Sequence, residues 1–292
     1  MTWLPWLALM ACVLALAVFS LCAYGEHRWT GAMQALQGKL DAGRIDGKQG
    51  TSSAPARYDE RELEGLPAPV QRYFRTVLTH GQPIITAVTI DIAGTFNMSP
   101  AGEQWKPFTS RQRVSTRRPG FLWDASIQFL PGVAVRVADS YIAGRGQLHA
   151  TVEGLLTIAD MRGEGEIARG ELMRWFAEAA WYPTALLPSQ GVRWESLDDH
   201  SANATVVDGP LSLTLLFKFN EAGLIGSFRA EARGGMVGKA MVMAPWEGNW
   251  SNYQLRDRVQ VPFSGEVAWM RPEGRRPYFI GTVTAFGFEV AP

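Results

Sequence analysis

The chain has 292 residues, of which 47% are apolar, a composition typical of a folded protein with one large domain or two small ones. Its 28 basic and 28 acidic side chains give a net charge of zero, and no run is strongly basic, which argues against nucleic acid as a partner. Both cysteines, Cys12 and Cys22, lie in one apolar segment, which excludes a disulfide framework, a zinc finger and a cysteine nucleophile elsewhere in the chain.

The first predicted element is a membrane span. No charged residue occurs from Trp3 to Tyr24, and a helix of that length crosses the roughly 30 Å hydrocarbon core of a bilayer. The opening residues MTWLPW contain no Lys or Arg, unlike the start of a cleavable signal peptide. Residues 1–25 are therefore predicted to form a single-pass transmembrane anchor, with the lipid bilayer as a partner.

Residues 26–58 are predicted to form a juxtamembrane helix and a flexible tether. Aromatic and aliphatic side chains share one helix face at Trp29, Met33, Leu36 and Leu40. The following segment, Asp41–Pro55, is rich in Gly, Ser, Lys and Asp, which is typical of a linker.

Residues 59–292 are predicted to form one β-rich globular domain. It opens with helical character in Asp59–Leu78, interrupted by Pro67 and Pro69. Apolar and polar residues then alternate in segments bounded by Pro, Gly and Asn, the pattern of half-buried strands in hairpins. The predicted strands are Val88–Phe96, Phe108–Ser115, Phe121–Phe129, Val133–Ala143, Gln147–Ile158, Val192–Leu197, Ala202–Val207, Leu211–Phe219, Leu224–Arg233, Trp246–Gln260, Gly265–Met270 and Tyr278–Val290.

A central helix is predicted at Glu164–Tyr182, between the two blocks of strands. Leu172, Trp175 and Phe176 fall on one helix face, and Pro183 ends the helix because it lacks an amide proton. The βαβ alternation of a parallel sheet is absent. The fold class is therefore predicted as α+β: a curved antiparallel sheet, or half-barrel, wrapped around a central amphipathic helix, with one transmembrane helix before it.

The opposite face of the central helix carries charge. Glu171, Arg174 and Glu178 are spaced for two ion pairs along one side, which favours a solvated helix edge but would also suit a catalytic site. Asp198 and His200 could form an acid–base pair, although a hairpin turn uses the same residue types. These five residues are the candidate catalytic residues if the protein is an enzyme. The preferred prediction is a protein without catalytic activity.

Metal and cofactor chemistry has no support in the sequence. The four histidines fall in unrelated segments without metal-ligand spacing. No nucleophile elbow, phosphate-binding loop or dinucleotide fingerprint occurs. No metal and no cofactor are predicted.

Large aromatic side chains are the strongest functional signal. Tryptophans and phenylalanines are dense in the predicted strands and central helix, where they suit either a packed core or the wall of an apolar cavity. The predicted ligand-binding residues are those in and next to the central helix: Trp175, Phe176, Trp181, Tyr182 and Trp194.

Several blocks of sequence carry a resemblance to a known family: LPAPVQRYFRTVL, PGFLWDA, GELMRWFAEAAWYPTALLP, VRWESLDD, WEGNWSNY and VPFSGEVAW. Over Leu66–Val290 the chain resembles a bacterial family of unknown function that often follows a membrane span. The resemblance implies an architecture similar to periplasmic lipoprotein carriers, in which a curved antiparallel sheet wraps helices over a lipid-sized cavity. It transfers no catalytic or binding residue.

The predicted location is the bacterial inner membrane. Arg28, Lys39 and Arg44 follow the span, which would place the domain in the cytoplasm by the positive-inside rule, whereas the resemblance favours the periplasm. The predicted function is noncatalytic binding of an apolar or lipid-like ligand in the half-barrel. The alternatives are a hydrolase-type enzyme using the carboxylates of the central helix, and an envelope scaffold for an unidentified protein partner.

Overall fold

The computed structural model describes residues 3–50, 55–99, 102–238 and 240–292. The helices in these ranges are α1 (Leu4–Gly50), α2 (Ala68–Val77) and α3 (Glu166–Ala177). Short 3-10 turns lie at Glu60–Leu63, Glu178–Trp181, Pro183–Leu186 and Pro188–Gln190. The strands are β1 (Ile85–Asn97), β2 (Trp105–Ser115), β3 (Gly120–Leu130), β4 (Val133–Ile142), β5 (Arg145–Val152), β6 (Leu156–Gly163), β7 (Arg193–Asp198), β8 (Ser201–Asp208), β9 (Leu211–Phe219), β10 (Ile225–Val237), β11 (Ala240–Arg256), β12 (Val259–Arg271) and β13 (Gly274–Val290).

The strands of the described chain form one antiparallel sheet in the order β6-β5-β4-β3-β2-β1-β13-β12-β11-β10-β9-β8-β7. The chain enters at the centre in β1 and moves outward by hairpins to the edge strand β6. It then crosses through α3 and the 3-10 turns to the opposite edge, β7, and returns by hairpins to β13, which pairs with β1. The α-helical crossover therefore connects the two edges of the sheet.

The sheet curls around α3. That helix contacts β3, β4, β5 and β6 from one half of the sheet and β9 and β10 from the other half. The hydroxyl of Tyr141, on β4, donates a hydrogen bond to Asp208, on β8, over 2.6 Å and joins the halves directly. The predicted fold class, a curved antiparallel sheet around a central helix, is confirmed.

The central helix is shorter than predicted. It begins after Gly163 and Gly165, whose φ angles of 136° and 78° are accessible mainly to glycine. It ends at Ala177, after which the chain tightens into 3-10 turns, and the amide of Tyr182 donates to the carbonyl of Ala179 at 3.0 Å. The stretch 178–182 is therefore not α-helical, although it continues to fill the core.

Two predicted strands are each a hairpin. Gln147–Ile158 is divided between β5 and β6 by a turn in which Glu153 and Gly154 have φ angles of 52° and 69°. Trp246–Gln260 is divided between β11 and β12 by Asp257 and Arg258, with φ angles of 45° and 69°. The first turn has three residues and the second has two. Three of the four residues with positive φ are not glycine, so the usual sequence signal is weak.

Helix α1 extends beyond the predicted span and packs on the convex face of the sheet. Trp29 and Leu40 are buried against Leu122 and Ala138, and the Trp29 indole donates to Asp124 over 2.8 Å. Part of the predicted tether, residues 51–54, lies outside the described residues, and residues 41–50 belong to α1. The division into anchor, tether and domain stays a prediction.

Candidate functional site

A buried polar cluster surrounds Arg174 on the concave face. Its guanidinium donates from Nη1 to Asp139 and from Nε to Glu178, both over 2.8 Å, and from Nη2 to Gln112 over 3.1 Å. Gln112 in turn donates to the second carboxylate oxygen of Glu178 over 2.6 Å. The guanidinium carbon also lies 4.7 Å from the centre of the Trp123 ring, within cation–π range. The predicted solvated edge of the central helix is therefore wrong for Glu171, Arg174 and Glu178, because strands of the sheet cover all three side chains.

The pKa of Arg174 reflects these contacts. Burial lowers it, since the charged form loses water, but the carboxylates of Glu178 and Asp139 outweigh that effect and hold the pKa above its usual value. The guanidinium is permanently charged, and its two ion-paired carboxylates supply the compensating charge.

Glu171 lies on the same helix, one turn before Arg174, and is 3% exposed. Its Oε2 atom has no hydrogen-bond partner among the described residues. Burial, followed by the nearby Asp139 carboxylate, raises the pKa of Glu171 to about 8, and the Arg233 guanidinium only partly opposes this. Glu171 is therefore protonated at neutral pH.

Arg233, on β10, completes the cluster from the other half of the sheet. Its guanidinium carbon lies 4.2 Å from the centre of the Trp246 ring and 5.8 Å from that of Trp269. Burial also raises the pKa of Asp139, an effect that the Arg174 and Arg233 guanidiniums partly oppose. With one proton held by the carboxyl groups of Glu171 and Asp139, the two guanidiniums face two carboxylates, so opposite charges balance in the buried cluster.

Sequence reasoning missed Gln112, Asp139 and Arg233. A signal for Asp139 was present, because Val135, Val137 and Tyr141 alternate with it on the inward face of β4 and pack in the core. A polar residue at an inward position needs a partner. The identity of that partner, on α3, could not be read from β4 alone.

The other two residues of the predicted catalytic alternative lie elsewhere. Asp198 is the last residue of β7, and His200 is in the turn to β8. The Asp198 carboxylate accepts a hydrogen bond from the backbone amide of His200 over 2.8 Å. This bond is the main reason that the pKa of Asp198 lies below its usual value. The pair therefore stabilises an exposed hairpin turn, and none of its hydrogen bonds in the described structure reaches the Arg174 cluster.

The five predicted ligand-binding side chains are all buried in the core: Trp175, Phe176, Trp181, Tyr182 and Trp194. The three indoles donate to backbone carbonyls of Ser115, Pro262 and Leu186 over 2.8 to 3.0 Å. The hydroxyl of Tyr182 donates to the carbonyl of Trp175. These bonds satisfy the polar atoms of the rings. Ligand binding by the five side chains stays a prediction, and it requires the crossover segment to move.

The β10–β11 hairpin carries a cluster of exposed apolar side chains. Met236 is 41% exposed, and the consecutive residues Met241, Val242 and Met243 are 43%, 39% and 46% exposed. Neighbouring strand residues point to opposite sides, so this end of the hairpin is uncovered on both sides. The sequence signal is the run AMVMAP together with GGMV, which lies between the predicted strands Leu224–Arg233 and Trp246–Gln260, whereas β10 and β11 extend into it.

One helix of the described chain, α1, is long and apolar enough to cross a membrane over its first part. The side chains of Leu4–Tyr24 are exposed, including Cys12 and Cys22. No group of three or more His, Cys, Asp or Glu side chains in the described ranges is placed to hold a metal ion.

Residues 64–288 match the sequence profile of a family of unknown function, DUF6920. The chain belongs to the DUF6920 family. Among curated proteins, none matches the sequence. The match covers the sheet, α3 and the Arg174 cluster. It does not include α1.

Two solved structures are similar to this member of the DUF6920 family. A LolA superfamily protein, NE2245 from Nitrosomonas europaea, aligns with a TM-score of 0.42 and 10% identity over 78% of this chain and 96% of its own. A β-barrel-like protein of domain of unknown function DUF1849 from Brucella abortus aligns with a TM-score of 0.23 and 10% identity over 70% of this chain and 99% of its own. Similarity at this level carries no information about a ligand.

Proposed function

We propose that the protein is a membrane-anchored, noncatalytic binder of an apolar or lipid-like ligand, and that the ligand is held at the β10–β11 hairpin. The observation that carries the proposal is the exposure of Met236, Met241, Val242 and Met243 on both sides of one hairpin. Clustered apolar surface is costly to leave in water and marks sites that bind apolar partners.

The chemistry of methionine suits this role. Its unbranched, polarizable side chain adapts to partners of different shape, so three methionines can follow a flexible acyl chain without a preformed cavity. Burial of the exposed part of two or three such side chains contributes a few kcal/mol, and the methylenes of the ligand contribute about 0.8 kcal/mol each. The methylenes are therefore the larger source of the free energy that must exceed the ordering costs of association.

The anchor supports a lipid-like ligand. Signal sequences also form apolar helices, but α1 continues without a break from the span into the segment that packs on the sheet. Cleavage after the apolar run would cut inside this helix, at the point where Gly25 contacts the domain. The inner-membrane location and the side on which the domain lies stay predictions.

The test is photolabelling of the full-length protein in lipid nanodiscs with a diazirine-bearing fatty acid, followed by peptide mapping. Label should enter residues 225–243 saturably, and unlabelled fatty acid should compete for it. Replacing both Met241→Gln and Met243→Gln should raise the apparent Kd about tenfold or more, because polar side chains of similar length remove the apolar contact.

The matched control is Leu197→Gln with Leu255→Gln. These leucines are 59% and 60% exposed, and Leu255 lies at the far end of the same strand, β11. The control should label like the parent. Labelling that rises linearly with probe, or an unchanged Kd in the methionine variant, would refute the proposed site, and saturable labelling of α3 instead would favour the five buried rings.

The enzyme alternative retains one favourable observation, the buried carboxyl of Glu171 with its raised pKa and an oxygen without a partner. A catalytic group must reach its substrate, however, and Glu171 is only 3% exposed. A hydrolytic activity that is lost in Glu171→Gln but kept in a variant of an exposed carboxylate would establish the alternative.

A further inference from the structure

We infer that the turns β3–β4 and β5–β6 rest on the surface of the lipid bilayer, with Leu130 and Leu156 in the interfacial region. The occupant of this surface is the membrane that holds α1, so the inference rests on the anchor in the proposed function. It concerns a different surface from the β10–β11 hairpin and assigns the domain an orientation relative to the membrane.

The path of α1 across the sheet sets this orientation. At one end, Gly25 lies against the β5–β6 turn, so closely that a Cβ atom on Gly25 would be 2.0 Å from the carbonyl oxygen of Glu153. At the other end, Leu40 lies against Gly120, at the start of β3 and therefore next to the β2–β3 turn. The helix crosses the convex face from one end of these strands to the other, and residues before Gly25 extend beyond the first end.

The length of the span puts this end at the membrane. Leu4–Tyr24 rises roughly 30 Å at about 1.5 Å per residue, which equals the hydrocarbon thickness of a bilayer. Gly25 therefore lies at the interface, and the β5–β6 turn touches it. Just after the span, Glu26 forms an ion pair with Arg136 on β4, which holds the helix against the sheet.

The neighbouring β3–β4 turn lies at the same level. The carboxylate of Glu153 accepts the backbone amide of Ala134, and the amide of Glu153 donates to the carbonyl of Ala134 over 3.0 Å. The two turns are thus joined to each other as well as to α1.

The residues at these turns are apolar and exposed. On the β3–β4 hairpin, Phe129 is 40% and Leu130 53% exposed, and on the β5–β6 hairpin, Leu156 is 66% and Ile158 52% exposed. Lys106 lies beside them, with its amine 5.8 Å from the centre of the Phe129 ring. Apolar tips with a nearby lysine match the chemistry of an interface, where side chains enter the acyl boundary and an amine meets phosphate groups.

The test uses bimane fluorescence of the full-length protein in phosphatidylcholine vesicles with brominated or unbrominated chains. Leu156→Cys and Leu130→Cys are labelled separately in a Cys12→Ser, Cys22→Ser background. Emission should fall to about half in brominated vesicles, because the labels sit at the acyl boundary. Leu156 is exposed, so its replacement should leave the melting curve unchanged.

The control is Arg145→Cys in the same background. Arg145 is exposed and begins β5, seven residues from Val152 and hence roughly 23 Å from the β5–β6 turn at about 3.3 Å per residue. Its label should keep its emission. Equal quenching at Arg145 and Leu156 would overturn the orientation.

Native Cys22, labelled in Cys12→Ser, separates this inference from the anchor. Quenching at Cys22 without quenching at Leu130 and Leu156 would overturn the contact and leave the anchor in place. Full emission at Cys22 would remove the anchor and the contact together, while ligand binding by the β10–β11 hairpin is judged independently by photolabelling.

Discussion

Arg174 shows, at the scale of single residues, how partners on distant strands set the role of a side chain. On an isolated helix it would pair with Glu178 at the i, i+4 spacing and contribute a few tenths of a kcal/mol. In the folded chain the side chains of Arg174 and Asp139 are 14% and 13% exposed, and the guanidinium forms ion pairs with two carboxylates, those of Asp139 and Glu178. Removal of one partner would leave a buried charge, which costs several kcal/mol.

Glu171 provides the residue-scale prediction, which concerns pH. Its pKa is about 8 in the folded chain and about 4.3 in an unfolded one, so between these values the unfolded chain binds fewer protons. The free energy of unfolding should therefore fall as pH rises from about 4.5 to 8 and level off above that. In Glu171→Gln the difference in unfolding free energy between pH 5 and pH 9 should shrink by a few kcal/mol.

Urea denaturation of full-length protein in detergent across this pH range measures the effect. The control is Glu195→Gln, since Glu195 is exposed on β7. Its pH profile should follow that of the parent. A parent profile that is flat between pH 5 and pH 9 would show that Glu171 does not titrate as stated.

At the scale of elements, α3 and the 3-10 turns after it act as the core and not as an ordinary amphipathic surface helix. The helix is covered by strands of both halves of the sheet, so its charged side chains are enclosed together with its apolar ones. The buried rings Trp175 and Tyr182 pack at 5.7 Å between ring centres and connect the helix to the turns that follow.

Trp175→Ala should destabilise the domain by about 3 to 5 kcal/mol, the usual cost of truncating a large buried ring. Trp175 is 2% exposed, and its indole donates to the carbonyl of Ser115, which would lose its partner. Thermal and urea unfolding measure the change. Leu197→Ala, at a position 59% exposed, should cost less than roughly 0.5 kcal/mol, and a similarly small value for Trp175→Ala would contradict its place in the core.

At the scale of the whole molecule, the first and last strands lie side by side at the centre of the sheet. β1 and β13 pair in the middle, while the edges β6 and β7 are joined through α3. The second half of α1 lies on the convex face and covers apolar side chains of β3 and β4 that would otherwise meet water. The part of α1 from Trp29 to Leu40 is therefore part of the folded structure.

A pair of truncations tests this role of α1. Removal of residues 1–24 should leave a soluble domain with an unchanged melting temperature, because the side chains of Leu4–Tyr24 are exposed. Removal of residues 1–43 should lower the free energy of unfolding by several kcal/mol, since it uncovers the contacts of Trp29, Met33 and Leu40, each contributing about 1.5 to 3 kcal/mol. Equal stability of the two truncated proteins would contradict the docking of α1.

The sequence by itself determined the fold class and the positions of most elements, because these depend on local patterns. Period-two alternation marked strands such as β1 and β9, the charge-free run marked the first part of α1, and Pro183 marked where the helical region changes. The turn at Asp257 and Arg258 was missed because Arg258 stands where a glycine usually follows the Asp of such a turn.

Only the tertiary structure decided which side chains meet. The spacing of Glu171, Arg174 and Glu178 predicted one face of a helix, but Asp139, Gln112 and Arg233 come from strands on both halves of the sheet. The rings of Trp175 and Trp181 were equally suited to a core and a cavity wall until the carbonyls that accept their indole protons were known. Burial and pairing depend on how distant segments pack, and local periodicity carries no information about that packing.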